Sequence, residues 1–317
     1  MRTLSRLNEA YSKAKEIEFD DHSKYVFVAD VHRGDNSSSD EFGPNKNIYY
    51  HALQYYYQDD FTYVEVGDGD ELWETKNIQY VYTSHSAVFN LLQKFKEDNR
   101  LIMLYGNHNM QMKNPAYAEK FMTLAYDSFL GEDIDILPGV EFLEAIKLVH
   151  SETGQEIFVC HGHQGDLGND QLWWLSYALV RHVWRYLHKL GIKYMASPTH
   201  NKYKQHKTEK SHHRWLRQNG AMLICGHTHR PRLPNSYDDR YFNTGCCIHP
   251  RGITCLEMSY GEIALVSWSV SSRRDGMVYI KRELLKGPMS VGEFNKSKNG
   301  GTHGNQGNSQ TSETGQL

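Results

Sequence analysis

The chain is short of the features that most quickly assign a protein. Its 317 residues include five cysteines, Cys160, Cys225, Cys246, Cys247 and Cys255, with no Cys-x-x-Cys pair and no regular spacing. That excludes a disulfide framework and suits a reducing compartment. Cys160 and Cys225 lie in apolar runs and read as buried thiols rather than nucleophiles. No uninterrupted apolar stretch is long enough to span a bilayer. Residues Met1 to Asp20 are polar and charged, with neither the apolar core nor the cleavage site of a signal peptide, so a cytoplasmic location is expected. A strong charge of one sign is also lacking. The net charge of -3 excludes a molecule that holds nucleic acid over its whole surface.

What the chain does have is a series of metal-binding side chains, each ending an apolar run. They are Asp30-Val31-His32, Gly67-Asp68, Gly106-Asn107-His108, His161-Gly162-His163 and Gly226-His227-Thr228-His229. The runs before them, 25–29, 62–66, 101–105, 156–160 and 221–225, read as strands. Helical spacing predicts helices over 3–17, 46–58, 77–97 and 115–130. Strand alternating with helix predicts an α/β fold with parallel strands. The runs 145–150 and 156–160 form a predicted hairpin, as do 253–258 and 262–269. Residues 170–190 and 207–218 read as helices. The length fits one elaborated domain, 1–294, interrupted by a helical insertion at about 167–220. From Asn295 to Leu317 almost nothing is apolar, and a disordered tail is expected.

The clusters carry the chemistry. Asp30 and His32 are two apart, so in extended geometry both face one way. Glycine before Asp68 allows a sharp turn at the strand end, where α/β sheets place their ligands. Asp68 can bridge two ions, and Asn107 adds a neutral oxygen. Asp70, Glu71 and Glu74 are placed to position waters or neighbours, with a solvated acidic turn the alternative for Asp70. We assign Asp30, His32, Asp68 and His229 to one divalent ion, and Asp68, Asn107, His161 and His227 to a second. His108 points elsewhere, toward the reacting phosphate. Arg33 either holds a phosphate oxygen or is a surface arginine. The mixed nitrogen and oxygen donors suit manganese, the first choice, or iron or zinc.

In combination, Asp30-x-His32, Gly67-Asp68, Gly106-Asn107-His108, His161 and Gly226-His227-x-His229 resemble the calcineurin-like metallophosphoesterase superfamily over roughly residues 24–270. The resemblance implies a two-sheet β sandwich flanked by helices, with a dimetal site at the strand ends. It implies hydrolysis of a phosphate ester or pyrophosphate by a hydroxide generated between two ions, with His108 as proton donor to the leaving group. The family usually reads Gly-Asn-His-Asp, whereas Asn109 follows His108 here. The family's aspartate orients the histidine, so its loss predicts a lowered His108 pKa and a weaker acid. Gly67-Asp68-x-x-Glu71-x-Trp73 and the long helical insertion also resemble the bacterial UDP-diacylglucosamine pyrophosphatases. They imply a nucleotide- or lipid-linked substrate.

The insertion emerges between two ligand-bearing strands. Trp173, Trp174, Tyr177, Trp184 and Tyr186 make its first part apolar around most of a helix. It either packs on its own hairpin partner or forms a lid over an acyl chain or nucleobase. Between Arg181 and Arg217 there are ten Lys or Arg and one acidic residue, Glu209. This is either a solvated face or an electrostatic guide for a phosphorylated anionic substrate. Contact with a membrane surface through this cap is a second expectation. A nuclease, for which the cap would hold a strand, is a less favoured alternative. A catalytically weakened metal-binding scaffold is another.

Overall fold

The computed structural model describes residues 2–75, 77–127, 130–184 and 202–294. The expected tail at 295–317 and the middle of the insertion, including Tyr186, lie outside the described residues.

Two main sheets form the body. One has five strands in the order β1 (Lys15–Phe19), β8 (Ala145–His150), β9 (Glu156–Cys160), β10 (Met222–Cys225) and β11 (Tyr241–Asn243). The other has seven, in the order β14 (Val278–Ser290), β13 (Glu262–Ser272), β12 (Ile253–Ser259), β2 (Tyr25–Val28), β3 (Thr62–Val66), β4 (Leu101–Leu104) and β7 (Phe142–Leu143). A further hairpin pairs β5 (Leu124–Asp127) with β6 (Glu132–Asp135). This is a mixed α/β fold of two sheets with flanking helices.

Phe27, Val64, Val66 and Leu104 of one sheet meet Ile146, Leu148, Ile157, Val159 and Ile224 of the other in a buried core. The outer face of the seven-stranded sheet carries α2 (Lys46–Gln58) and α3 (Ile78–Glu97). Helix α2 turns Ile48, Tyr49, Ala52, Leu53 and Tyr56 inward, the spacing of one helical face. The side chain of Asn77 starts α3 by accepting from Gln79 N. The outer face of the five-stranded sheet carries α1 (Arg2–Lys13) and α6 (Lys202–Asn219). Because β2 and β3 are covered on both faces, their apolar runs are continuous rather than alternating.

Several boundaries differ from expectation. The first helix stops at Lys13 because Lys15–Phe19 has period two, with Ile17 and Phe19 packed against the core, and pairs parallel to β8. The helix predicted over 115–130 ends early. It is α4 (Pro115–Thr123) followed by the β5–β6 hairpin. The insertion's first part is α5 (Trp173–Leu179) between π-helical turns at Leu167–Gln171 and Val180–Trp184, not one regular helix. The end of α6 belongs to the body. Trp215 is fully buried against Phe158 and Tyr11 and donates to Asn8 Oδ1. No helix among the described residues is long and apolar enough to cross a membrane.

Candidate metal centre

The loops after β2, β3, β4, β9 and β10 converge at one end of the sandwich. All five run parallel to a neighbour in their own sheet, through β2–β3–β4 and β9–β10, so their carboxyl ends share a side. Asp30 and Asp68, the first acidic residues after β2 and β3, are wholly buried there.

The backbone at this end is unusual. Among the described residues nine non-glycine residues have positive φ, and five of them are Asp30 (52°), His32 (53°), Asp68 (53°), His227 (65°) and His229 (55°). Each left-handed residue costs on the order of 1–3 kcal/mol and persists where the surroundings over-determine it. Asp30 and His32 therefore face one centre through a left-handed backbone and not through extended alternation. Hydrogen bonds hold these turns: Asp30 N donates to Gly67 O and His32 N to Asp68 O. His227 N donates to Asp30 Oδ2 and His108 N to Asp68 Oδ1, each at 2.7 Å. Close approach explains two glycines. A Cβ on Gly106 would lie 2.2 Å from Asp68 Oδ1, and one on Gly226 would lie 2.5 Å from Asp30 Oδ2.

The side chains form two adjoining groups, Asp30 with His32 and His229, and Asp68 with His161 and His227. His229 Nε2 lies 3.0 Å from Asp30 Oδ1, and His161 Nε2 lies 3.1 Å from both Asp68 Oδ2 and Asn107 Oδ1. All seven residues expected to hold metal are thus brought together, six of them in these two groups and Asn107 against His161. His32 Nε2 is buried without a hydrogen-bond partner and lies 3.8 Å from Asp30 Oδ1. That is too far for a hydrogen bond but close to the roughly 3–4 Å between two donors on a common ion with bonds of about 2.1 Å. Buried carboxylates facing several imidazole nitrogens fit divalent cations. Burial opposes the anion of Asp68, but His161 and His108 outweigh it and hold the carboxyl well below its usual range. Burial likewise opposes protonation of His229, and Asp30 reverses the effect.

His108 stands apart. Its side chain is 26% exposed, against 8% or less for the four histidines of the two groups, so it is the imidazole open to an incoming group. Its Nδ1 lies 2.7 Å from Glu71 Oε2, which also meets His32 Nδ1 at 2.9 Å. The other oxygen of Glu71 accepts from Trp73 N and Glu74 N, which fixes the carboxylate, and Trp73 stacks on the His108 ring.

Two expectations are corrected. Asn109 does not take the orienting place beside His108. Its Oδ1 accepts from Gly106 N at 2.6 Å and closes the turn. Burial alone lowers the pKa of His108, but Glu71 and then Asp68 raise it to about 9, opposite to the expected direction. Arg33 is also not at the centre. It is fully buried, with Nε on Asp70 Oδ1 and its other nitrogens on Glu65 and Tyr49. Asp70 and Glu65 keep it charged against the cost of burial. It braces β3 and cannot reach a phosphate. Glu71, expected to position a neighbour, and Trp73, given no role in the sequence, are the residues that meet His108; their signal was the short Gly67–Trp73 motif.

Residues 23–231 match the model of the calcineurin-like phosphoesterase family. The chain belongs to that family. No curated protein matches it. Among solved structures it is similar to Vacuolar Protein Sorting 29 from Cryptosporidium parvum, with 12% identity and a TM-score of 0.40, over 84% of this chain and 98% of that one. It is also similar to GAP50, the anchor in the inner membrane complex of Plasmodium, with 11% identity and a TM-score of 0.39, over 87% and 94%.

Proposed function

We propose that the chain is a hydrolase that cleaves a phosphate ester or pyrophosphate bond with two divalent cations. The observation that carries this reading is the convergence of six buried donors and the partly buried His229 beside one half-open imidazole. Asp30, His32 and His229 would hold one cation, and Asn107, His161 and His227 the other, with Asp68 between them. The cations would supply Lewis acidity and an activated water. The protein's own contribution is placement. Glu71 binds Nδ1 of His108 and so leaves Nε2 for the leaving oxygen, to which His108 delivers a proton. The left-handed turns keep the donors fixed before a substrate arrives. The expectation of a weakened scaffold rested on Asn109, and Glu71 provides the carboxylate whose loss that reading assumed.

The test is direct. The purified chain should bind about two divalent ions, with manganese tried first, and turn over p-nitrophenyl phosphate or its diester. Chelation should abolish turnover and lower the melting temperature, and metal should restore both. Bound metal without turnover of any phosphate ester would leave a binding scaffold.

The cap supports a finer reading, that the substrate is presented at a lipid surface. Trp174, Leu175 and Leu179 are each more than half exposed beside Arg181. That combination suits the boundary of an anionic bilayer. Leu175→Glu should abolish sedimentation with anionic vesicles; equal sedimentation of both proteins would discard this reading.

A further inference from the structure

A cavity of about 500 Å³ opens beside the metal centre. Such a volume is within the roughly 300–1,000 Å³ of sites that take small molecules. It lies between the loops that follow β4 and β9. His163, two residues beyond His161, lines it with its ring 5.4 Å from the His161 ring and 6.4 Å from that of His227. Met110, two residues after His108, lines it as well. A group joined to a phosphate at the centre would therefore reach this space.

The walls define what fits. Tyr105, Tyr117 and Trp173 offer flat apolar surface. The remaining lining is dominated by planar polar side chains, among them Gln111, Asn114, Glu144 and Asp170. These polar side chains disfavour a purely alkyl chain, since each left without a partner would lose its hydration without return. Two carboxylates and two cations, Arg6 and Lys113, also line the wall. Arg6 meets Glu144 at 2.6 Å and Asp170 at 3.1 Å, and Gly165 N donates to Asp170 Oδ2. Gln111 Oε1 is buried without a hydrogen-bond partner. A wall with both donors and acceptors beside aromatic rings favours a group rich in hydroxyls, which donate and accept, with a C–H face for the rings.

We infer that this cavity binds a polyhydroxylated group, a sugar or cyclic polyol, joined through oxygen to the phosphate that the centre cleaves. The inference rests on the phosphoesterase reading above and names its substrate class. Hydrolysis breaks the P–O bond to the polyol. Water supplies the oxygen of the new P–O bond, and one of its protons ends on the released hydroxyl. The polyol could come from a soluble sugar phosphate or from the headgroup of a glycolipid.

Binding and turnover test it separately. Saturation-transfer NMR on the full chain with methyl glucoside, uridine and hexyl phosphate should show transfer to the glucoside, lost in the double variant Gln111→Ala, Asn114→Ala. Binding of uridine or hexyl phosphate without the glucoside would overturn the inference. In turnover, the same double variant should raise KM for glucose 1-phosphate about tenfold more than KM for p-nitrophenyl phosphate, the effect of losing two hydrogen bonds. An equal change for both substrates would overturn it. Turnover of soluble glucose 1-phosphate identifies the free sugar phosphate. Turnover only of an acylated glucosyl phosphate in mixed micelles identifies the lipid headgroup. Glucoside binding without any phosphate turnover supports the polyol site and rejects the hydrolase reading instead.

Discussion

Glu71 holds two imidazoles with one oxygen, and replacing it separates its effects. In Glu71→Gln the larger of the two anions that raise the pKa of His108 is gone, while Asp68 still raises it and burial still lowers it. If His108 must be protonated to serve the leaving group, activity falls as pH rises through its pKa. The basic limb of the kcat/KM profile should therefore move from about 9 to lower pH in the variant. The turnover rate should drop about 10–100-fold, the usual cost of removing a carboxylate behind a site imidazole. A limb that stays in place would show that another group titrates there. The residue scale also explains why Arg33 misleads in the sequence. Beside His32 it reads as part of the site, but its backbone pairs with Gly69 and Asp70 and its guanidinium lies over Phe89. Only the folded β2–β3 pair sets that direction.

At the scale of elements, the sequence was most legible where a strand ends in a ligand. The runs at β2, β3, β4, β9 and β10 are continuous and apolar because they are buried on both sides, and each stops at Gly, Asp or His. Less legible were elements whose stability comes from neighbours. β14 runs through Lys281, Arg282, Glu283 and Lys286 without apolar periodicity, and is a strand because β13 pairs with it over its length. The end of α6 is similar: its basic residues suggest a cap, while Trp215 and Leu216 tie it to the body. Trp215→Ala should cost about 3–5 kcal/mol through the cavity it leaves and the Asn8 acceptor it abandons. Urea unfolding of the metal-loaded protein would measure this. A loss below about 1 kcal/mol would mean that α6 is only loosely joined to the sheet.

The whole molecule responds to acid through its buried histidines. His212, on α6 outside the metal groups, has its pKa pushed down to about 3, first by burial and then by His227. In the unfolded chain it titrates near 6.5. Between these values the unfolded state carries the extra proton, so stability is present above about 6.5 and declines as pH falls toward 3. His212→Leu should flatten the urea midpoint against pH across that window in metal-loaded protein. An unchanged slope would assign the acid sensitivity to other groups. By itself the sequence pointed to the α/β class, to seven residues that meet at one end of the sandwich, and to His108 standing apart from them. Those follow from local order, a buried run and then a metal-binding side chain at its end. The tertiary structure decided what depends on residues far apart in the chain. It closed two sheets over one core, brought Glu71 to His108 in place of Asn109, and buried Arg33 under α2 and α3. It also set a polar cavity against the metal centre, because α1, the β4 loop and the start of the insertion meet only when the chain is folded.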